Sequence, residues 1–350
     1  MFMHKHYIPV LRWRAAEKTA LQKMGSKQKN LITPFIEVFM PQATVTKTPE
    51  TRLEEQNSNF AGQLSEVWGK EAFFLDTHLL PQEYQTATTE YLLRSCVNSQ
   101  LKVIPVLNFD STEKLRQLAV NTTTNPSDEV CLRIFLKDLQ NEDINQKIHD
   151  FLNSLNLLPT QIHFMVDLKY LDADEVPVYE LINNLDIVTT CKTFFVAGGS
   201  FPKDLSEGFI LGENHVIRKE WNLWQTLIAK LTKRKPSYSD YTTQHPIFYE
   251  PRTVSNFSAS IRYTLEKDWL VMRGQGVLTP NSAGYRGFLA NAQLISGSEV
   301  FKGPDFSYGD QFLQEKGSDL NSKPGNASNW VCVGISHHLA QVAHQVSNLP

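Results

Sequence analysis

The sequence predicts an α/β protein: a (βα)8 barrel of the TIM type over residues 1–235, followed by a C-terminal α+β extension over residues 236–350. Three observations carry this. Eight apolar runs rich in Val, Ile, Phe and Leu precede residue 222, helix-competent segments separate most of them, and the texture changes abruptly after Pro236. A doubly wound open sheet is the alternative that the same alternation allows.

The runs are YIPVLRW (7–13), LITPFIEVF (31–39), AFFLDTHLL (72–80), KVIPVLNF (102–109), VCLRIFLKDL (130–139), IHFMVDLKY (162–170), KTFFVAGGSF (192–201) and HVIRKEW (215–221). Their continuous apolar character suits parallel strands covered by helices on their outer face. Between them lie RAAEKTALQKM, FAGQLSEVW, PQEYQTATTEYLLRSCV, STEKLRQLAV, NEDINQKIHDFLNSL and DADEVPVYELINNL as helices. Pro81 and the Asp172-to-Glu175 spacing mark helix starts, and KLTKRK places cations at the C-terminal end of LWQTLIAKL, where the helix dipole favours them. The seventh unit is the thinnest, because PKDLSEGFILGEN is short and holds two glycines. After a Ser/Tyr/Thr-rich connector, SASIRYTLEKDWLVMRGQG reads as two strands about a turn at EKD. A helix around NSAGYRGFLANAQLI, the loop GPDFSYGDQ, a polar stretch and a final helix in GISHHLAQVAHQVSNL complete the extension, which reads as packed on the barrel.

Composition narrows the function classes. With 41% hydrophobic and 20% charged residues the chain supports an ample core, and a net charge of -3 gives no global attraction to nucleic acid or to a membrane. Cys96, Cys131, Cys191 and Cys332 form no CxxC pair, so buried free thiols are expected rather than a zinc site. Without an apolar run of transmembrane length or a signal-type N-terminus, a cytoplasmic location is expected. The GxSxG, Walker, HExxH and kinase signatures are absent from the sequence.

In a barrel, active sites gather where strands end and βα loops begin. Glu37, Asp76 and Asp167 each sit near such an end, with Lys169 after the sixth run, Arg218 and Glu220 in the eighth, Arg12 and Arg14 after the first, and Asn108 and Asp110 after the fourth. Three carboxylates around one mouth could bind Mg²⁺ or Mn²⁺, or two of them could serve as an acid and base pair. Gly198, Gly199 and Ser200, after the seventh run, are candidate anion ligands through their backbone N–H groups, although a tight turn uses the same residues. Arg262 and Arg273 lie on the two strands of the extension. An even loop puts them on one face and a three-residue EKD loop on opposite faces. His337 and His338 are adjacent in a helix and point about 100° apart, and His344 is poorly spaced from both, so packing or capping roles outweigh metal ligation.

Taken together, YIPVLRWRAAEKTAL, ITPFIEV, GGSFP, RKEWNLW, YSDYTTQHP, SIRYT with WLVMRG, SYGD and WVCVGISHHL resemble the beta protein family of phages and bacteria. The resemblance runs over nearly the whole chain. It implies a protein of mobile and defence-associated genes and a C-terminal third integral to the fold, and it carries over no catalytic residue. The polar, anion-accepting mouth sets the expected function: an intracellular barrel protein, a hydrolase acting on a phosphate-bearing or nucleotide-like ligand in phage and host conflict. The alternative is a non-catalytic binding or sensor module that recognises a partner protein.

Overall fold

The computed structural model describes residues 4–122, 129–171, 177–248 and 256–349. The helix start read at Asp172 to Glu175 lies outside them.

Eight parallel strands close into a barrel: β1 (Tyr7–Arg12), β2 (Phe35–Phe39), β3 (Phe73–Leu79), β4 (Val103–Leu107), β5 (Val130–Phe135), β6 (Ile162–Tyr170), β7 (Thr193–Gly199) and, as the eighth, β9 (Ser237–Asp240). The circle closes where β9 pairs with both β7 and β1. Residues alternate inward and outward along each strand. The inward set includes Ile8, Val10, Phe35, Phe74, Val106, Cys131, Met165, Phe195 and Tyr241, which pack as one buried cluster filling the barrel. A large-to-small change there, such as Phe74→Ala, costs about 3–5 kcal/mol.

The eighth barrel strand corrects the sequence reading. Gly212–Ile217, called β8, joins a separate antiparallel sheet of order β10-β11-β8, with β10 at Ile261–Thr264 and β11 at Asp268–Arg273. Its side chains alternate between half-buried and exposed, unlike the barrel strands, whose residues are almost all buried. The true eighth strand is hidden in the sequence because SYSD looks like a turn. Its inward serines, Ser237 and Ser239, are each 1% exposed. The barrel therefore extends past residue 235, and the segment read as the seventh helix contributes none. The layer beside β7 is supplied by α9 (Lys219–Lys230), which follows β8.

The other barrel helices are α1 (Ala15–Gln22), α2 (Ser26–Lys29), α3 (Pro49–Val67), α4 (Gln82–Asn98), α5 (Glu113–Thr122), α6 (Leu136–Leu139), α7 (Ile144–Ser154) and α8 (Val178–Asn183). Helix α3 begins well before the FAGQLSEVW stretch because Thr48 accepts a hydrogen bond from the Thr51 N–H, Pro49 opens the first turn, and Leu53, Phe60 and Leu64 continue the buried stripe. The extension adds α10 (Gly287–Ser296), α11 (Tyr308–Ser318) and α12 (Ala327–Ser347). Helix α11, read as a loop from sequence, is started by Ser307, whose hydroxyl accepts from the Asp310 N–H. Ile335, Leu339, Val342 and Val346 of α12 join the core that also holds Tyr7, Leu11, Ala20 and Leu21, so α12 lies in the helical layer against β1 and α1. The extension is part of the barrel's wall. All four cysteines are buried free thiols, and no described helix is long and apolar enough to cross a membrane.

Candidate functional site at the barrel mouth

Glu37, Asp76 and Asp167 converge at the C-terminal end of the barrel, and they converge on Arg133, an inward-facing residue of β5. The Arg133 guanidinium donates to Glu37 Oε1 at 2.8 Å and to Asp167 Oδ2 at 3.0 Å from Nε and 2.5 Å from Nη2. It also donates to Asp76 Oδ2, and to the Tyr241 hydroxyl at 2.9 Å. Tyr241 in turn donates to Asp167 at 2.6 Å. The Arg133 side chain is 0% exposed and the three carboxylates are at most 3% exposed. One side chain thus ties together β2, β3, β5, β6 and the residue that follows β9.

Local backbone turns fix the acids. The N–H two residues on donates back to the side chain at the ends of three strands: His78 to Asp76 at 2.7 Å, Lys169 to Asp167 at 2.9 Å and Thr242 to Asp240 at 3.0 Å. Asn108 receives Asp110 in the same way at 2.9 Å. Such Asx turns tolerate the left-handed backbone, and Lys169 and Thr242 have φ of 55° and 56°. The turn at Lys169 brings its Nζ to 3.5 Å from Glu37 Oε1 and 3.4 Å from Asp167 Oδ2, with the side chain 25% exposed. Arg12 approaches Glu37 Oε2 from the other side, at 3.7 Å.

The charges balance: three carboxylates face Arg133, Lys169 and Arg12. Burial alone would raise the pKa of Glu37, but Lys169, Arg133 and Arg12 hold it below the usual carboxylate range. Burial likewise opposes the ionised form of Asp167, and Lys169, Arg133 and the Tyr241 hydroxyl bring it down to about 2. Burial also works against the charge on Arg133, but Tyr241 and the surrounding acids raise its pKa. A divalent cation does not fit this arrangement, because the guanidinium fills the point on which the acids converge and no three His, Cys, Asp or Glu side chains among the described residues are placed to hold a metal.

The loop after β9 covers the mouth. Arg12 Nη2 donates to the carbonyls of His245 and Pro246 at 2.9 Å each, the His245 ring packs on Tyr170 with centroids 4.6 Å apart, and Pro246 lies over Gly199. Beneath this loop two atoms have no hydrogen-bond partner, Glu37 Oε2 and Arg12 Nε. At the rim, Asn108 donates to His78 Nδ1 at 2.9 Å, and the exposed pair Lys137 and Asp110 meets at 3.1 Å. Arg14 stands over the rings of Phe39 and Phe248.

Other residues singled out from sequence sit elsewhere. Arg218 and Glu220 are buried outside the barrel wall, because β8 is not a barrel strand. Arg218 Nη1 donates to Leu265 O, Glu266 O and Gln345 Oε1 at 3.1, 3.3 and 2.9 Å, joining α9 to the hairpin turn and to α12. Glu220, pushed up to about 7 chiefly by burial, accepts from the Ser200 hydroxyl at 2.7 Å. Ser200 is thereby turned away from the mouth, a Cβ on Gly198 would meet Leu171 and Glu220 on the outer side, and a Cβ on Gly199 would stand 2.6 Å from Pro246. The three residues form no open anion cradle. Arg262 and Arg273 share a face of the flanking sheet, since Arg262 pairs with Val271, and Val271 and Arg273, two positions apart on one strand, point the same way. They reach different partners, Thr243 O and Leu205 O, each at 2.6 Å.

His337 and His338 are core residues. His338 Nε2 donates to Asp240 Oδ2 at 2.8 Å while Nδ1 accepts from Thr264 Oγ1 at 2.8 Å. His337 meets Asp310 Oδ2 at 2.9 Å and stacks on Tyr263. Sequence reasoning passed over Arg133, Tyr241 and Asp240. For Arg133 a signal existed: an arginine in the middle of VCLRIF cannot be buried without carboxylates to meet it.

A closed parallel barrel with charged residues from several strand ends gathered at its C-terminal mouth makes this a (βα)8-barrel protein of the TIM type. Residues 7–344 match the Beta protein family, and the chain belongs to it. It is 22% identical to Protein beta of Enterobacteria phage P4, over 97% of this chain and 93% of that one. Among solved structures, a putative fructose-1,6-biphosphate aldolase from Coccidioides immitis aligns with 68% of this chain and 76% of its own at 7% identity and a TM-score of 0.30. A GH138 enzyme targeting pectin rhamnogalacturonan II aligns with 78% and 37% at 8% identity and a TM-score of 0.37. Likenesses this distant carry no argument, and the barrel assignment rests on the strand pairing.

Proposed function

We propose that the barrel mouth is the active site of a hydrolase for a small phosphate-bearing or nucleotide-like ligand. The observation that carries this reading is the pair of buried atoms without hydrogen-bond partners beneath the loop after β9, the acceptor Glu37 Oε2 and the donor Arg12 Nε, which face each other as an ion pair at 3.7 Å, too far apart to bond directly. Buried polar atoms are nearly always satisfied, so a lone acceptor beside a lone donor favours a group that bonds to both. Lys169, the most exposed of the clustered charges, gives the reacting phosphate of a ligand its first contact. Glu37 orients a water whose oxygen bonds to phosphorus, and the proton released passes through Glu37 to the departing oxygen. Arg133 keeps Glu37 in place and takes no part in the chemistry. The phage-encoded relative supports a setting where phage and host meet, which plaque counts on cells with and without the gene would test.

A second reading, a non-catalytic binding or sensor module, is favoured by the saturation of the three acids by Arg133. Both readings meet one experiment: phosphate release and thermal stabilisation with nucleotides and sugar phosphates, for the wild type, Glu37→Gln and Lys169→Ala. Turnover lost in Glu37→Gln supports the hydrolase. Stabilisation without turnover, weakened in Lys169→Ala, supports the binding module. Equal behaviour of all three proteins removes the mouth from consideration.

A further inference from the structure

We infer that Arg262 and the turn Thr242–Gln244 form an anion subsite that takes a second, non-reacting phosphate group of the ligand, beside the barrel mouth and outside the Arg133 cluster. The inference rests on the reading that the mouth accepts a phosphate-bearing ligand, and it places that phosphate away from the glycines and from Arg218.

Position is the first argument. Phosphate groups in barrels of this type commonly bind at the loops after the seventh and eighth strands. Those loops begin here at Ser200 and Tyr241, and Arg262, which comes from the flanking sheet, touches both. Its guanidinium lies 4.5 Å from the ring centroid of Phe201 and donates to Thr243 O at 2.6 Å. The two loops are also joined directly, by His245 Nδ1 donating to Phe201 O at 2.9 Å.

Charge is the second. Arg133, Arg12, Arg218 and Lys169 each have a carboxylate within 4 Å. Arg262 is half-buried and makes no ion pair among the described residues. A partly desolvated guanidinium without a counter-ion is costly, and burial does lower the pKa of Arg262, to about 10. A bound anion removes that cost.

Unmet hydrogen bonds are the third. Thr242 Oγ1, Thr243 Oγ1 and Gln244 Nε2 belong to three successive residues, and each is buried without a partner. Thr242 and Thr243 are 2% and 0% exposed. The Thr243 hydroxyl is close to the Arg262 stem, since a Cβ placed on Gly334 would lie 3.5 Å from the one and 3.4 Å from the other. Two hydroxyls able to donate, an amide N–H₂ and a guanidinium match the acceptor oxygens of a phosphate.

The test uses the full chain and inorganic phosphate as probe, with sodium chloride at matched ionic strength as control. Melting temperature and calorimetric titration are followed for the wild type, Arg262→Gln, Gln244→Leu and Lys169→Ala. Wild type and Lys169→Ala are expected to show a phosphate-specific rise in melting temperature. Arg262→Gln should bind phosphate roughly ten- to a hundredfold more weakly, and Gln244→Leu should also lose affinity. If Arg262→Gln does not fold, Gln244→Leu decides. A wild type without a phosphate-specific response, or one that Arg262→Gln and Gln244→Leu retain in full, overturns the subsite. Loss in Lys169→Ala alone also overturns it and puts the anion at the barrel centre. Phosphate binding that survives while Glu37→Gln leaves turnover unchanged, or while the wild type shows no turnover, keeps the subsite and refutes the mouth as a hydrolytic site, so the two failures stay distinguishable.

Discussion

Arg133 Nη2 and Glu37 Oε1 meet at 2.8 Å across the barrel, although 96 positions separate them in the chain. The contact joins β5 to β2, with three carboxylates sharing one guanidinium at the centre of the mouth. Removing the shared partner leaves buried negative charges with only Lys169 and Arg12 nearby.

Arg133→Met should therefore lower stability by about 3–5 kcal/mol at pH 7.5, the usual cost of breaking a buried ion network from one side. The loss should shrink at pH 5, because carboxylates deprived of the guanidinium gain protons more readily and the uncompensated charge falls. Urea unfolding at the two pH values measures both effects. An equal loss at each would show that packing, rather than charge, sets the cost.

Glu17 gives a pH dependence of opposite origin. It is 3% exposed on α1 with Oε2 unpartnered, and burial raises its pKa from the ordinary 4.5 to about 7. The unfolded chain releases this proton near pH 4.5 and the folded chain near pH 7, so stability contributed by the protonated acid is full below 4.5 and is lost as pH rises through 7. Glu17→Gln should match the wild type at pH 4.5 and exceed it by roughly 2–3 kcal/mol at pH 8. Thermal melts across that range check the crossover.

Gly199→Ala should lift the loop that covers the mouth. Its Cβ would come within 2.6 Å of Pro246 Cγ, a distance that requires movement. The expected cost is about 1–3 kcal/mol with faster proteolysis between residues 244 and 248. Unchanged cleavage there would mean that the barrel end of β7 yields instead.

Limited proteolysis of the wild type should release no stable fragment ending near Pro236. Such a fragment lacks β9 at Ser237–Asp240 and cannot close the barrel. A folded fragment of residues 1–236 would contradict the architecture.

Seven of the eight barrel strands were legible from their apolar runs, since a strand buried on both faces leaves continuous hydrophobic sequence. β9 was not, because small serines fill its inward positions and its outward Tyr238 and Asp240 meet polar partners from distant segments. The three acids were legible for a related reason: a carboxylate at the end of an apolar run stands out. Their purpose was not, because it depends on Arg133, and a side chain's partners across a barrel are set by closure rather than by neighbours in sequence. Arg218 misled for the same reason in reverse, since HVI resembles a barrel strand locally and only pairing with β11 reveals its place.

The docking of α12 on β1 also constrains the order of assembly. Tyr7 donates to Asp240 at 2.5 Å, and Asp240 is held by His338 of α12, so the first strand, the eighth and the C-terminal helix share one buried junction. During synthesis the outer face of β1 stays bare until residues beyond 327 have left the ribosome. Loop-closure entropy over that separation must be met before the contact rewards it. The nascent chain is therefore expected to keep this junction open and chaperone-accessible until α12 has emerged, and the emergence of α12 becomes the event that commits it to the native state.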